Sequence, residues 1–504
     1  MSAKRLVAAV AVSAIALSAC AAVIGLEHVG YEDASPEAGD LGDGGSEASD
    51  AGTADAEACT GTVCGSRCCT KGANCIDSGV CANDVVDVSG GGNGSCAVVA
   101  DGTVWCWGDD SLGQIGVGNG AGDAGDDTCT FINGATSLPL ACRFVATKVA
   151  ALPSGMTRVG AGFQHACAIQ GTNGAVWCWG HNANGAVGHD PAGDGKCPDI
   201  LQVDSEGGVP TTPCSGVPSL VPGITGAVEL ALNQATSCAR TSMGEVFCWG
   251  SGGGGQLGND GGSDSFAAVK VLGLPSGIVQ IATALYAGGA CAVASDGSAW
   301  CWGNTIPPPE PATFTAHRVM AGRTTPLSDV AELRFGVANY CARLTDGAVI
   351  CWGYDDNAQL GQGPCDAGGV STPAPVVGIP TAVALDGRWI HDCTLDADGK
   401  VRCWGVAQDG ALGRGNLLGD GKCTTLASSG TATVVPGLPR ITRIATGIET
   451  TFAIDDSGRL WAWGANDTAR IGHAPKSNKD LTNCGDPTNL SVCNPSPTLV
   501  EGLP

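Results

Sequence analysis

From Ser95 to Trp107, apolar side chains occupy both alternate registers of an extended chain. Cys96, Val98, Val104 and Cys106 share one side, and Ala97, Val99, Trp105 and Trp107 share the other. A strand lying on a single core alternates apolar with polar; one that is apolar on both sides is sandwiched between two layers. The break between the two runs is Ala100-Asp101-Gly102. A three-residue loop ending in Gly suits a type I turn with a G1 bulge, because glycine accepts positive φ there. The pattern predicts a tight hairpin in which Cys96 faces Cys106 and Val99 faces Thr103.

This hairpin recurs down the chain. Cys-Trp-Gly appears at Cys106-Trp107-Gly108, Cys178-Trp179-Gly180, Cys248-Trp249-Gly250, Cys301-Trp302-Gly303, Cys351-Trp352-Gly353 and Cys403-Trp404-Gly405, and a seventh copy reads Ala462-Trp463-Gly464. The Trp-to-Trp spacings are 72, 70, 53, 50, 52 and 59. The unit is therefore roughly 50 residues, with insertions in the first two intervals. Cross-strand neighbours lie within disulfide reach, so each hairpin is expected to close on itself: Cys96–Cys106, Cys167–Cys178, Cys238–Cys248, Cys291–Cys301, Cys341–Cys351 and Cys393–Cys403. Unit two spaces its cysteines one residue wider, and its turn has grown to Gly171-Thr172-Asn173-Gly174. In the seventh unit both positions change together, to Phe452 and Ala462, as a within-hairpin bridge requires. Each short loop closed this way contributes about 2–3 kcal/mol. The tryptophans read as packing rather than as a sugar platform.

After the Trp-Gly step comes Gly113-Gln114-Ile115-Gly116, Gly255-Gln256-Leu257-Gly258 or Gln359-Leu360-Gly361. The ordered set of Cys-Ala, D-G turn, Trp-Cys-Trp-Gly and Gly-Gln-Leu-Gly resembles the regulator of chromosome condensation repeat, over roughly residues 84–504. That resemblance implies an all-β, seven-bladed β-propeller, here with disulfide-bridged blade hairpins. The family's His before the second strand is read only at His165, and unit four replaces the loop by Ile306-Pro307-Pro308-Pro309-Glu310. Val500-Glu501-Gly502-Leu503-Pro504 repeats the linker Val435-Pro436-Gly437-Leu438-Pro439, and a strand begins near Asp84-Val85-Val86. The C-terminal strand is therefore expected to complete the first blade and remove an open edge. The family's best-known member is a nuclear exchange factor, a role that the features below oppose.

Composition agrees with short strands and tight turns: 79 of 504 residues are Gly and only 15% are charged. The formal charge of −24 argues against nucleic acid, which selects basic surfaces. Twenty-seven cysteines and 7 histidines without repeated C-x-x-C pairs favour disulfides in an oxidising compartment over metal. Lys4 and Arg5 precede an apolar run from Leu6 to Leu17, shorter than a comfortable membrane span. Leu17-Ser18-Ala19-Cys20 then resembles the bacterial lipobox, which would make Cys20 the lipid-attachment residue after removal of 1–19. Ala21 is not the inner-membrane retention residue, so the outer membrane is the expected site. Residues 20–58 read as an acidic tether, with 10 carboxylates and no Lys or Arg from Glu27 to Glu57. Residues 59–82 hold Cys59, Cys64, Cys68, Cys69, Cys75 and Cys81, a disulfide mini-module whose pairing stays open, with zinc as the other reading.

Function is sought in the insertions, since long loops on a rigid scaffold carry recognition. They hold Cys129, Cys142, Cys197, Cys214, Cys484 and Cys493; Cys365 and Cys423 sit singly in neighbouring units as a further candidate pair. All follow the Trp-Gly strand and should emerge on one rim. Asp126, Asp190, Asp194, Asp199 and Asp420 match no calcium loop, and His165, His181, His189 and His391 show no spacing logic. No G-x-S-x-G or H-E-x-x-H occurs. The expected function is a non-enzymatic surface scaffold, monomeric, held to the membrane by its lipid alone, without cofactor, binding a protein or polysaccharide through its rim loops. A glycan-active enzyme with carboxylates at the propeller face, or a structural envelope protein, is the alternative.

Overall fold

The computed structural model describes residues 62–64, 67–69, 74–77, 80–118, 126–133, 136–199, 209–284, 288–304, 313–322, 324–337, 339–363, 370–407, 409–423, 426–482, 484 and 491–504. The leader, Cys20, the acidic tether, Cys59 and Cys365 lie outside them.

Seven antiparallel sheets follow one another along the chain. In the first, Val85–Gly90, Gly94–Val99, Val104–Asp109 and Thr136–Lys148 pair in sequence order, and Asp127–Asn133 adds a fifth strand at the outer edge. The remaining sheets span 156–220, 227–270, 278–318, 330–375, 382–434 and 441–499. The first strand of each touches the first strand of the next, and Ile441–Thr446 touches Val85–Gly90, so the ring closes as a seven-bladed β-propeller. Turns such as Ala100–Gly102 and the blade linkers lie at one end of the ring, the turn face. Connections between first and second strands, and between third and fourth, lie at the other, the loop face.

Hairpin register follows from the three-residue turn. Cys96 faces Cys106, and Val99 N–H donates to Thr103 O at 2.9 Å. In all six cysteine-bearing blades the pair is bonded, with Cα atoms 4.0–4.2 Å apart. Phe452 faces Ala462 in the same register in blade seven. Its ring meets Trp107 edge-on at 6.0 Å, over Gly90, where a Cβ would lie 2.8 Å from the Phe452 ring. The two-sided apolar pattern is used as expected. Cys96, Val98, Val104 and Cys106 pack on Val159, Ala168 and Trp179 of blade two, while Ala97 and Trp107 pack on Phe452 and Ala462 of blade seven.

Six of the seven Trp-Gly tryptophans also tie one blade to its predecessor. Nε1 of Trp107, Trp179, Trp249, Trp302, Trp404 and Trp463 donates to the carbonyl of Arg470, Gln114, Ala186, Gln256, Gln359 and Ala411, at 2.8–3.1 Å. The last Gly of the preceding loop makes the room: a Cβ on Gly116, whose φ is +79°, would lie 2.8 Å from Trp179 Nε1. Blade four has the proline-rich replacement at 306–310, outside the described residues. Within blade five Trp352 stacks on Tyr340 at 5.2 Å and Tyr340 on Phe335 at 4.1 Å, and these rings share one apolar cluster with Cys291, Val293 and Cys301 of blade four.

The closing strand differs from expectation. Val492–Leu499 pairs with Leu460–Ala465, so the C-terminal strand completes blade seven, and blade one is built wholly from residues 85–148. The reason is that 500–504 repeat a linker, not a strand. They occupy a linker's place beside blade one: Ala146 N–H donates to Glu501 O at 3.0 Å, and Val500 packs with Val85 and Ala146.

The small N-terminal module is two hairpins, Val63–Cys64 with Arg67–Cys68 and Cys75–Asp77 with Val80–Cys81, bridged as Cys64–Cys75 and Cys69–Cys81. It meets the turn face of blade one, where Asp101 N–H donates to Ala82 O and Ala100 N–H to Asp84 O.

Candidate binding face and central channel

The insertions stand on neighbouring blades at the loop face. Blades six, seven, one and two each carry a fifth strand, Gly421–Cys423, Leu481–Thr482, Asp127–Asn133 and Gly195–Pro198, whereas blades three to five have four strands. These four blades are neighbours around the ring. The insertions between third and fourth strands are pinned by Cys129–Cys142, Cys197–Cys214 and Cys484–Cys493. Cys423 ends its strand, but its side chain and its suggested partner Cys365 lie outside the described residues.

Hydrogen-bonded side-chain pairs hold the bases of these insertions. Nine residues after Gly180, Gly405 and Gly464 stand His189, Arg414 and His473. They clamp Asp194, Asp420 and Asp480 at 2.7, 3.0 and 2.8 Å. Asn182 and Asn466 donate to the other oxygen of Asp194 and Asp480. In blade one Arg143 holds Asp126 at 2.9 Å. Asp126, Asp194 and Asp420, considered above for calcium, thus anchor the insertions, and Asp190 caps a turn by accepting from Ala192 N–H.

The histidines do have a spacing logic, which the sequence reading missed. His165 and His391 both stand two residues before the first cysteine of a hairpin, at Cys167 and Cys393. His165 Nε2 meets Ser237 Oγ at 2.8 Å and His391 Nε2 meets Thr451 Oγ1 at 3.0 Å, each across a blade junction. Those hydroxyls donate on to Ala186 O and Ala411 O, the carbonyls that the tryptophans also use. The expectation that the position survives only as His165 is therefore corrected: blade six keeps it as His391. Burial pulls His165 down to about 3 and His391 down to about 4, so both are neutral. Aligning the units on their cysteines would have revealed this.

The inner strands line a central cavity of about 450 Å³. Their third positions hold Asp87, Glu229, Gln280 and Glu332, whose side chains accept the N–H of Val159, Ile281, Leu333 and Leu385 in the following blade at 2.8–3.3 Å. Each carboxylate in the channel also takes an arginine: Arg443 on Asp87, Arg240 on Glu229 at 2.6 Å, Arg343 on Glu332 at 3.0 Å and Arg334 on Asp386 at 2.7 Å. Arg388 crosses the loop-face end and donates to the carbonyls of Gly90, Ala161 and Leu232, three blades other than its own.

With this geometry in hand, residues 85–114 and 156–186 match the family profile described as "Regulator of chromosome condensation (RCC1) repeat". Blades one and two are similar to RCC1 repeats. The RCC1 signature therefore lies in the hairpins and tryptophan loops of blades one and two. Over 393 residues the chain is 23% identical to the ultraviolet-B receptor UVR8 of Arabidopsis thaliana, covering 77% of this chain and 78% of the relative. It is 26% identical over 326 residues to the human E3 ubiquitin-protein ligase HERC2, covering 60% of this chain but spanning only 6% of that protein's length. Among solved structures, yeast Prp20p, from a study of its binding to Gsp1p and histones, superimposes with a TM-score of 0.61 at 19% identity, covering 80% of this chain and 87% of that one. The propeller fold is shared with Prp20p. The stapled insertions stand on that common frame, and the channel carboxylates are each tied to an arginine.

Proposed function

We propose that this chain is an exported, lipid-anchored, non-enzymatic scaffold that binds a protein partner through the loop face of blades six, seven, one and two. The observation that carries this reading is the set of disulfide-pinned insertions on the neighbouring blades seven, one and two, with the fifth strand of blade six beside them. Rigid, pre-ordered loops lose little entropy on binding, which favours recognition. Prp20p, of the same propeller fold, has binding properties toward Gsp1p and histones, which supports a protein ligand. Eleven disulfides among the described residues fit an oxidising compartment. None of the helices among those residues is long and apolar enough to cross a membrane, which leaves the lipid on Cys20 as the proposed anchor.

Orientation follows from the module's docking. The chain enters the propeller through Ala82 and Asp84 on the turn face, so a tether at 20–58 would present the loop face away from the membrane. The test is cross-linking and capture from envelope fractions with the intact exported chain. A second bait has 119–135 replaced by a short Gly-Ser linker and carries Cys142→Ser. A protein captured by the first and lost by the second is expected. Equal capture by both would sink the reading, and binding to a glycan array alone would turn it toward a polysaccharide.

A further inference from the structure

The channel has one open end and one closed end. At the loop face the Arg388 guanidinium is fastened to carbonyls of three other blades, and Phe163, Trp389 and Ile448 pack together beside it. At the turn face Arg158 is exposed and the Arg443 side chain keeps 42% of its surface. The blind cavity between them, about 450 Å³, has the size of a small-molecule site.

Its charge runs against the rest of the molecule. The chain carries −24 overall, yet six arginines and four carboxylates line this cavity. All four carboxylates are committed, each to one arginine, and Asp87, Glu229 and Asp386 also accept backbone N–H groups. Among the described residues Arg158 and Arg388 form no ion pair; they donate to main-chain carbonyls instead. Carbonyl dipoles solvate a guanidinium without neutralising it. The carboxylates that act on Arg158 and Arg388, Asp87 and Asp386, are each paired with another arginine. A narrow channel with low-dielectric walls therefore focuses a net positive field. Burial lowers the pKa of Arg388, as expected for a cation that lacks a full counter-charge. Thr283 Oγ1 adds a buried hydroxyl on the cavity wall that has no partner among the described residues.

We propose that the channel is a binding pocket for a small organic anion with two or more acidic groups, entering from the turn face and held between Arg158 at the mouth and Arg388 at the floor. Carboxylate and phosphate share the required chemistry: planar or tetrahedral oxygens that accept guanidinium N–H groups in pairs. The site lies at the opposite end of the ring from the stapled insertions and is independent of their partner.

Calorimetric titration of the exported chain with citrate and with pyrophosphate, at low salt, tests this. One saturable site is expected, with a dissociation constant below about 1 mM. Arg158→Gln should weaken it at least about tenfold without lowering the melting temperature, the scale of one lost charge-assisted bond. Arg440→Gln, an exposed turn-face change outside the channel, should leave it unaltered. Binding of citrate alone assigns a polycarboxylate, and binding of pyrophosphate alone assigns a phosphate ester. No saturation by either anion, or equal weakening by Arg158→Gln and Arg440→Gln, overturns the proposal.

Discussion

At the residue scale, the blade junctions are titratable in opposite senses. Burial pushes the carboxyl of Asp392, which accepts from Asn339 Nδ2 at 3.2 Å, up to about 8, and it does the same to Asp110. A carboxyl with a raised folded pKa keeps its proton where the unfolded chain has lost it. Its contribution is full below the unfolded value and fades as pH rises toward 8. His165 and His391 have lowered values, so they oppose folding as pH falls below 6.5, where the unfolded imidazole takes a proton. Below 6.5 the two slopes offset each other, and above it only the carboxyl slope remains. Urea midpoints measured between pH 6.5 and 8 should therefore fall for the native chain. Asp392→Asn, which mimics the neutral acid, should flatten that fall; an unchanged slope would mean that Asp392 is already ionised.

At the scale of the element, the hairpin is a self-contained unit with a built-in control. Blade seven shows that Phe452 and Ala462 can stand where the other blades have a bridge, provided that Gly90 opposite leaves space for the ring. The double change Cys238→Ala and Cys248→Ala has no such compensation. It should cost about 2–3 kcal/mol by denaturant titration, with the fold retained. The junction between blades four and five works differently: the stacked rings of Phe335, Tyr340 and Trp352, all in blade five, cluster with Cys291, Val293 and Cys301 of blade four. Truncating Tyr340→Ala should cost about 3–5 kcal/mol by the same measurement. A loss below about 1 kcal/mol would show that Trp352 is held by other contacts.

At the scale of the whole molecule, closure is a packed junction rather than a shared strand. Val500 and Leu503 pack against Val85, Ala146 and Trp107, and Glu501 accepts from Ala146. A chain ending at Leu499 should still form seven blades but lose about 2–4 kcal/mol from the apolar surface uncovered. Limited proteolysis should then cut first in the chain flanking that junction, in the entry segment near Asp84 or in the outer strand Val492–Leu499. Cleavage starting elsewhere would show that this junction is not the weakest point.

Much of this protein was legible in its sequence because the information is local. Strand alternation, turn length and the paired change at Phe452 and Ala462 determine hairpin register, disulfide partners in the blades and blade number, since each depends on residues within a dozen positions. What tertiary structure decided involves partners some fifty to seventy residues apart, or at opposite ends of the chain. Ring closure brought the insertions of blades six and seven beside those of blades one and two. It gave His165 and His391 each a hydroxyl partner in the next blade, Ser237 and Thr451. It also set the inner strands face to face, so that arginines scattered among acidic neighbours in the sequence gather in one channel. Those juxtapositions depend on the number of blades and on how the last meets the first, and no single repeat encodes either.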